Sequence, residues 1–136
     1  LEVLGVKTEL IFGSYYYGRT LGLKAFSVPL LIGANWAILL YCTAQISQLK
    51  NQILNALFGA FLMVFLDFFI EQIASRFDFW YWKNGIIPLQ NYIAWFIISF
   101  ALNLAFQKRL GQKSNLTAKA FYMIQITFFG ALYFFN

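Results

Sequence analysis

The sequence contains no histidine, and its single cysteine, Cys42, lies inside an apolar run. Histidine-ligated haem, histidine-rich di-iron sites, zinc sites and cysteine-held iron–sulfur clusters therefore have no ligand set in this chain. The nine glycines never fall in the spacing of a phosphate-binding loop or a dinucleotide fingerprint. Charge is scarce as well, at 11% of residues against about 25% in a soluble globular chain. The ten basic residues are scattered between apolar runs and no RNA-binding motif accompanies them. The net charge of +5 thus points to lipid headgroups and not to nucleic acid. No charged n-region or small-residue cleavage site follows Leu1, so no signal peptide is expected at this end, and the chain reads as an N-terminally truncated fragment.

What fills the sequence is apolar: 61% hydrophobic and 21% aromatic residues, with a mean hydropathy of +0.66. These values predict an integral membrane protein. Four segments approach the roughly 20 residues that cross a hydrocarbon core: about Ala25 to Ile46, Ile53 to Ala74, Asn91 to Phe106 and Lys119 to Phe135. The expected fold is an all-α, polytopic transmembrane bundle of four helices in one membrane domain, residues 1–136. Pro29 suits a first helical turn, where its missing N–H costs nothing, with Ser27 as the cap before it. Gly85 and Pro88 break the chain between the second and third helices. The short QLKNQ stretch around Lys50 calls for an antiparallel hairpin, and Gln107 to Lys119 is the most polar loop.

Four crossings place the opening segment and the Ser75 to Gln90 loop on one side of the membrane. The basic residues then divide evenly, with Lys7, Arg19, Lys24, Arg76 and Lys83 opposite Lys50, Lys108, Arg109, Lys113 and Lys119. A tie of this kind leaves the orientation open under the positive-inside rule. The acids do not divide: Glu2, Glu9 and Asp78 lie on the first side, and Asp67 and Glu71 lie in the half of their helix nearest to it.

At about 1.5 Å per residue, Asp67 sits ~10 Å from the end of its helix and Glu71 ~4 to 5 Å. Glu71 can be read as an interfacial residue in contact with water. Asp67 cannot, since a central Asp costs about 2.5 to 3.5 kcal/mol and so has to face the bundle interior, hold a proton or find a partner. The i, i+4 spacing makes two ionised carboxylates repel, which favours a proton on one of them. A donor beside an acceptor is the arrangement of acid–base chemistry. Asn91, Trp95, Ser99 and Asn103 follow at successive i, i+4 steps on the third helix, with Asn35 on the first and Gln125 on the fourth. Asn103 and Gln125 read as interhelical hydrogen bonders. The aromatics of FDFWYW also fit an interfacial belt, which does not account for Asp78 among them.

The stretches GVKTELIFGSYYYGRTLGLK (Gly5 to Lys24), PLLIGANW (Pro29 to Trp36), FLDFFIEQIASRFDFWYW (Phe65 to Trp82) and IPLQNYIAWF (Ile87 to Phe96) resemble the membrane carotenoid-biosynthesis family that includes the carotenoid 1,2-hydratases. The resemblance covers about the first hundred residues; Gln72 stands where many members carry proline. It implies cofactor-independent addition of water across the terminal C1=C2 double bond of an acyclic carotenoid end, as in lycopene or γ-carotene. It further implies Asp67 as the acid, and Glu71 as its partner or the water-activating base. Trp80, Tyr81, Trp82 and Trp95 become the rings that hold substrate and cation, and Asn91 and Glu9 the groups that position water. Expected partners are the carotenoid, the lipid bilayer and other carotenoid enzymes, and the expected location is a bacterial cytoplasmic membrane. A lycopene-cyclase-like enzyme, a proton or ion pathway and a pigment-binding protein remain alternatives.

Overall fold

Two asparagines shape the first helical hairpin. Asn51 Oδ1 accepts from the backbone N–H groups of Ile53 (2.9 Å) and Leu54 (3.1 Å), capping the start of a helix, and Asn55 Oδ1 accepts from Leu49 N (3.0 Å). The preceding helix closes where the Ser47 hydroxyl donates to the Thr43 carbonyl (2.7 Å). These local bonds satisfy helix-end groups that would otherwise be unpaired, and they form the tight turn expected around Lys50.

The computed structural model describes residues 1–110 and 114–135. It is mostly helical: α1 (Glu2–Thr8), α2 (Leu30–Ile46), α3 (Gln52–Ala74), α4 (Leu89–Leu110) and α5 (Leu116–Phe134). Between them lie β1 (Tyr15–Tyr17), β2 (Lys24–Ala25), β3 (Val28–Pro29) and β4 (Trp80–Trp82). The α3 helix is central and packs on α2, α4 and α5. Its close approach to α4 depends on Gly59, since a Cβ there would lie 2.5 Å from Asn103 Oδ1. Asn103 is fully buried, with its amide donating to the Ser99 carbonyl (2.9 Å), and Gln125 reaches Asn35 Oδ1 across α5 and α2 (3.4 Å). The whole stripe Asn91, Trp95, Ser99 and Asn103 faces inward, as its spacing predicts.

The all-α expectation needs correction, because two small antiparallel sheets are present, β2–β3 and β1–β4. Residues 24 to 29 are not helical. Phe26 and Ser27, at φ 51° and 70°, form the two-residue turn of the β2–β3 hairpin, which requires left-handed backbone at both positions. Ser27 therefore does not cap α2; extended Pro29 stands at the N-cap without a side-chain bond. The hairpin shortens α2 to 17 residues. Among the described residues, two helical stretches are long and apolar enough to cross a membrane, Gln52–Ala74 and Leu89–Phe106. The polar loop expected at Gln107 to Lys119 is partly helical, since α4 runs to Leu110 and α5 starts at Leu116; residues 111–113 of it lie outside the described residues.

The β1–β4 sheet joins the opening segment to the α3–α4 connection at one end of the helices, with Tyr15 opposite Trp82, Tyr16 opposite Tyr81 and Tyr17 opposite Trp80. Asp78 holds this junction. Its Oδ2 accepts from Arg19 N (2.9 Å) and its Oδ1 from the Tyr81 hydroxyl (3.0 Å), and these bonds keep the carboxyl below its ordinary range. Gly18 passes so close that a Cβ would lie 2.1 Å from the Asp78 carbonyl oxygen. Gly18→Ala should therefore cost about 1 to 3 kcal/mol, the usual range for overpacking. Gly33→Ala, whose Cβ meets nothing within 4 Å, should leave stability unchanged or slightly raised. Thermal unfolding in detergent compares the two, and equal midpoints would contradict the close packing at Gly18.

Candidate functional site

One turn of α3 separates Asp67 and Glu71, and both side chains point into the protein, 2% and 7% exposed. Glu71 is held from two other elements. Its Oε2 accepts from the indole N–H of Trp80 (2.9 Å) and of Trp82 (2.8 Å), and its Oε1 accepts from the Asn91 amide (2.9 Å). Strand alternation explains the tryptophan pair, because residues two apart on β4 share a face. Tyr81, between them, faces the other way and stacks on Tyr16 at 5.4 Å. Asp67 differs from Glu71: its Oδ2 is buried with no hydrogen-bond partner among the described residues. Such an atom in a native structure calls for a functional or solvent explanation.

These groups surround a cavity of about 20 Å³, lined by Glu2, Tyr15, Tyr17, Ile32, Trp36, Asp67, Glu71, Trp80, Trp82, Asn91 and Trp95. That volume is room for one water molecule. Glu2 enters from α1, and its Oε2 accepts from the hydroxyls of Tyr15 (2.7 Å) and Tyr17 (2.8 Å). Burial pushes the Glu2 carboxyl above its ordinary range while the two tyrosines oppose the shift. Burial and the neighbouring Glu2 charge push both phenols up. The aromatic wall is continuous: Phe12 stacks on Trp95 at 4.9 Å, Trp95 stacks on Trp36 at 4.1 Å, and Tyr15 leans on Trp82 at 5.1 Å.

A second space adjoins the first. An apolar groove of about 430 Å³ runs between α2 and α5, with Leu31, Ile38, Ile70, Phe121, Ile124 and Phe128 along it. Ile32, Trp36, Asp67 and Trp80 line both the groove and the small cavity. Asp67 is the ionisable residue common to the two. The arrangement can present a carboxyl to an apolar chain on one side and to a water-sized space shared with Glu2, Glu71 and Asn91 on the other.

Of the residues singled out from the sequence, Asp67, Glu71, Trp80, Trp82, Asn91 and Trp95 converge on the cavity. Two do not. Tyr81 lines a neighbouring hollow of about 230 Å³, which Glu71, Trp80 and Trp82 also line. Glu9 stands at the surface, where its carboxylate pairs with Lys83 and accepts from the Ser14 hydroxyl, and these bonds hold it below the ordinary carboxylate range. Glu2, Tyr15, Tyr17, Ile32 and Trp36 are the lining residues that the sequence reading missed. Tyr15 and Tyr17 are buried on either side of exposed Tyr16, but three tyrosines in a row carry no period in the sequence that would have singled them out.

Trp82→Phe keeps the ring against Tyr15 but removes one donor from Glu71. A hydrogen bond to a charged group is worth about 1.5 to 3 kcal/mol, so unfolding in detergent should show a loss of that order. Tyr81→Phe removes a bond to Asp78 at the solvent-exposed junction, where water can take the donor's place, and should cost less than about 1 kcal/mol. Equal losses would mean that the Glu71 bonds do not anchor the site.

A family model described as carotenoid biosynthesis protein matches residues 1–135, extending past the hundred residues that carry the resemblance. No curated protein and no solved structure matches the chain.

Proposed function

The chain belongs to the carotenoid biosynthesis protein family, and from that premise we propose that it is a carotenoid 1,2-hydratase, adding water across the terminal C1=C2 bond of an acyclic carotenoid end. The observation that carries this reading is the position of Asp67 on the boundary between an apolar groove and a water-sized cavity that Glu2, Glu71 and Asn91 also line. Hydration needs both reactants at one acid, and they come from opposite phases.

The end of the polyene enters the groove from the bilayer. Asp67 gives its proton to C2, and the positive charge develops at C1 as a tertiary cation. Trp36 and Trp80, which line both spaces, present π faces to it, an interaction worth about 0.5 to 2 kcal/mol. Glu71, fixed by three N–H donors, supplies preorganised negative charge nearby. Water in the cavity adds to C1 and gives the tertiary alcohol. No electron changes hands, so the reaction calls for no redox cofactor. A cyclase would protonate the same kind of bond, but its cation is captured by a neighbouring double bond; the water-sized cavity beside Asp67 favours capture by water.

Residues 1–136 are read as a single membrane domain in which α2 and α5 complete a four-helix transmembrane bundle with α3 and α4, in a bacterial cytoplasmic membrane. The carotenoid arrives through the lipid, from enzymes earlier in carotenoid synthesis. Tyr81 and Glu9 take supporting roles in this reading, at the junction that closes the site and not at the reacting carbons.

The test is expression of the intact protein in cells that make lycopene or γ-carotene, followed by mass analysis of the pigment. The expected product has gained one water. Asp67→Asn should lower its formation by ~10² or more at unchanged protein level in the membrane, the scale of losing an acid–base catalyst. Pigment left unchanged by well-folded wild-type protein would remove the hydratase reading, and a ring in place of the hydroxyl would establish the cyclase.

A further inference from the structure

The small cavity holds three carboxylates, and their hydrogen bonds divide their work. Glu71 receives three N–H donors, two on Oε2 and one on Oε1. Indole N–H groups cannot turn into acceptors, whereas the Asn91 amide does so only by flipping. A proton arriving on Glu71 would weaken the two charge-assisted indole bonds on Oε2 with nothing gained there in exchange. Glu2 is different. The hydrogen bonds it receives among the described residues are both on Oε2, and both come from hydroxyls. A hydroxyl is donor and acceptor at once and rotates to suit its neighbour. Tyr15 and Tyr17 can therefore follow Glu2 between its ionised and protonated forms without stranding a donor.

Resting on the hydratase reading above, we propose that Glu2 takes the proton of the attacking water, with Tyr15 and Tyr17 as positioning residues that hold its carboxylate on the cavity. Asp67, on the same cavity and with its buried Oδ2 unpartnered among the described residues, is the acid, and Glu71 stays ionised throughout. The step balances. The Asp67 O–H bond breaks and a C2–H bond forms as the C1=C2 π pair is used. The water oxygen then bonds to C1 while one of its O–H bonds breaks, its proton passing to Glu2. A second water entering the cavity carries that proton from Glu2 to Asp67 and restores the starting state.

Separate acid and base make the two halves of the reaction separable. In heavy water Asp67 delivers a deuteron, and a cation that is not captured by water turns about its C2–C3 bond, gives its original C2 proton to Asp67 and keeps the deuteron, so the recovered alkene carries deuterium at C2. The experiment uses the intact protein in membranes with a lycopene-type substrate in heavy water, reading alcohol formation and deuterium in unreacted substrate together. Glu2→Gln should reduce hydration by ~10² or more while the recovered substrate still gains deuterium at C2. Asp67→Asn should lose both signals. Glu2→Asp, which keeps the carboxylate, should regain part of the hydration, an effect that a purely structural role of Glu2 would not give. Normal hydration by Glu2→Gln, loss of exchange together with hydration in folded Glu2→Gln, or exchange without hydration in Glu71→Gln would each overturn the assignment. Wild-type protein that shows neither hydration nor exchange would overturn the hydratase reading itself, and the assignment with it.

Discussion

Three N–H groups from two elements converge on one carboxylate, Glu71, and the geometry of the whole site follows from that convergence. The bonds from Trp80 and Trp82 fix which face of β4 turns inward. The bond from Asn91 fixes the start of α4 against α3. Through the β1–β4 pairing the same anchor reaches Tyr15 and Tyr17, and through their hydroxyls Glu2 and α1. A buried carboxylate is costly unless it is fully hydrogen-bonded, so the fold has a strong reason to bring these donors together. Once it does, Asp67 lies one turn deeper, with its Oδ2 lacking a hydrogen-bond partner among the described residues.

Helix identity and inward faces were the most legible features of the sequence. The i, i+4 series from Asn91 to Asn103 and the Asp67–Glu71 pair are helical spacings that survive folding unchanged, because the helix itself carries them. The strands were not legible, since elements of two or three residues are too short to show a period, and aromatic residues at a membrane interface read equally well as a belt. Whether an acidic residue near the start of the chain turns inward depends on contacts distant in sequence. Glu2 meets Tyr15 and Tyr17, whereas Glu9 meets Lys83 across the β1–β4 junction; nothing local separates the two. Tyr81 was misplaced for a related reason, as its orientation is set by strand alternation that becomes visible only when β4 is known to pair.

The site also reconciles two requirements that oppose each other in a membrane. A linear apolar substrate stays in lipid, and water does not. A groove of about 430 Å³ open to an apolar chain and a cavity of about 20 Å³ walled by carboxylates and aromatic rings meet at Asp67, Trp36 and Trp80. In the proposed hydration, so small a cavity would limit how much water is present and guard a tertiary cation against uncontrolled side reactions. The rings provide stabilisation that a poorly hydrated site would otherwise lack.

The central claim is that the proton comes first and that water supplies the oxygen. Its most direct test is reaction of the intact protein with an acyclic carotenoid in oxygen-labelled heavy water under anaerobic conditions. The account predicts a fully labelled tertiary alcohol carrying one deuterium at C2. Label arriving only from dioxygen, or no product in the absence of air, would contradict it.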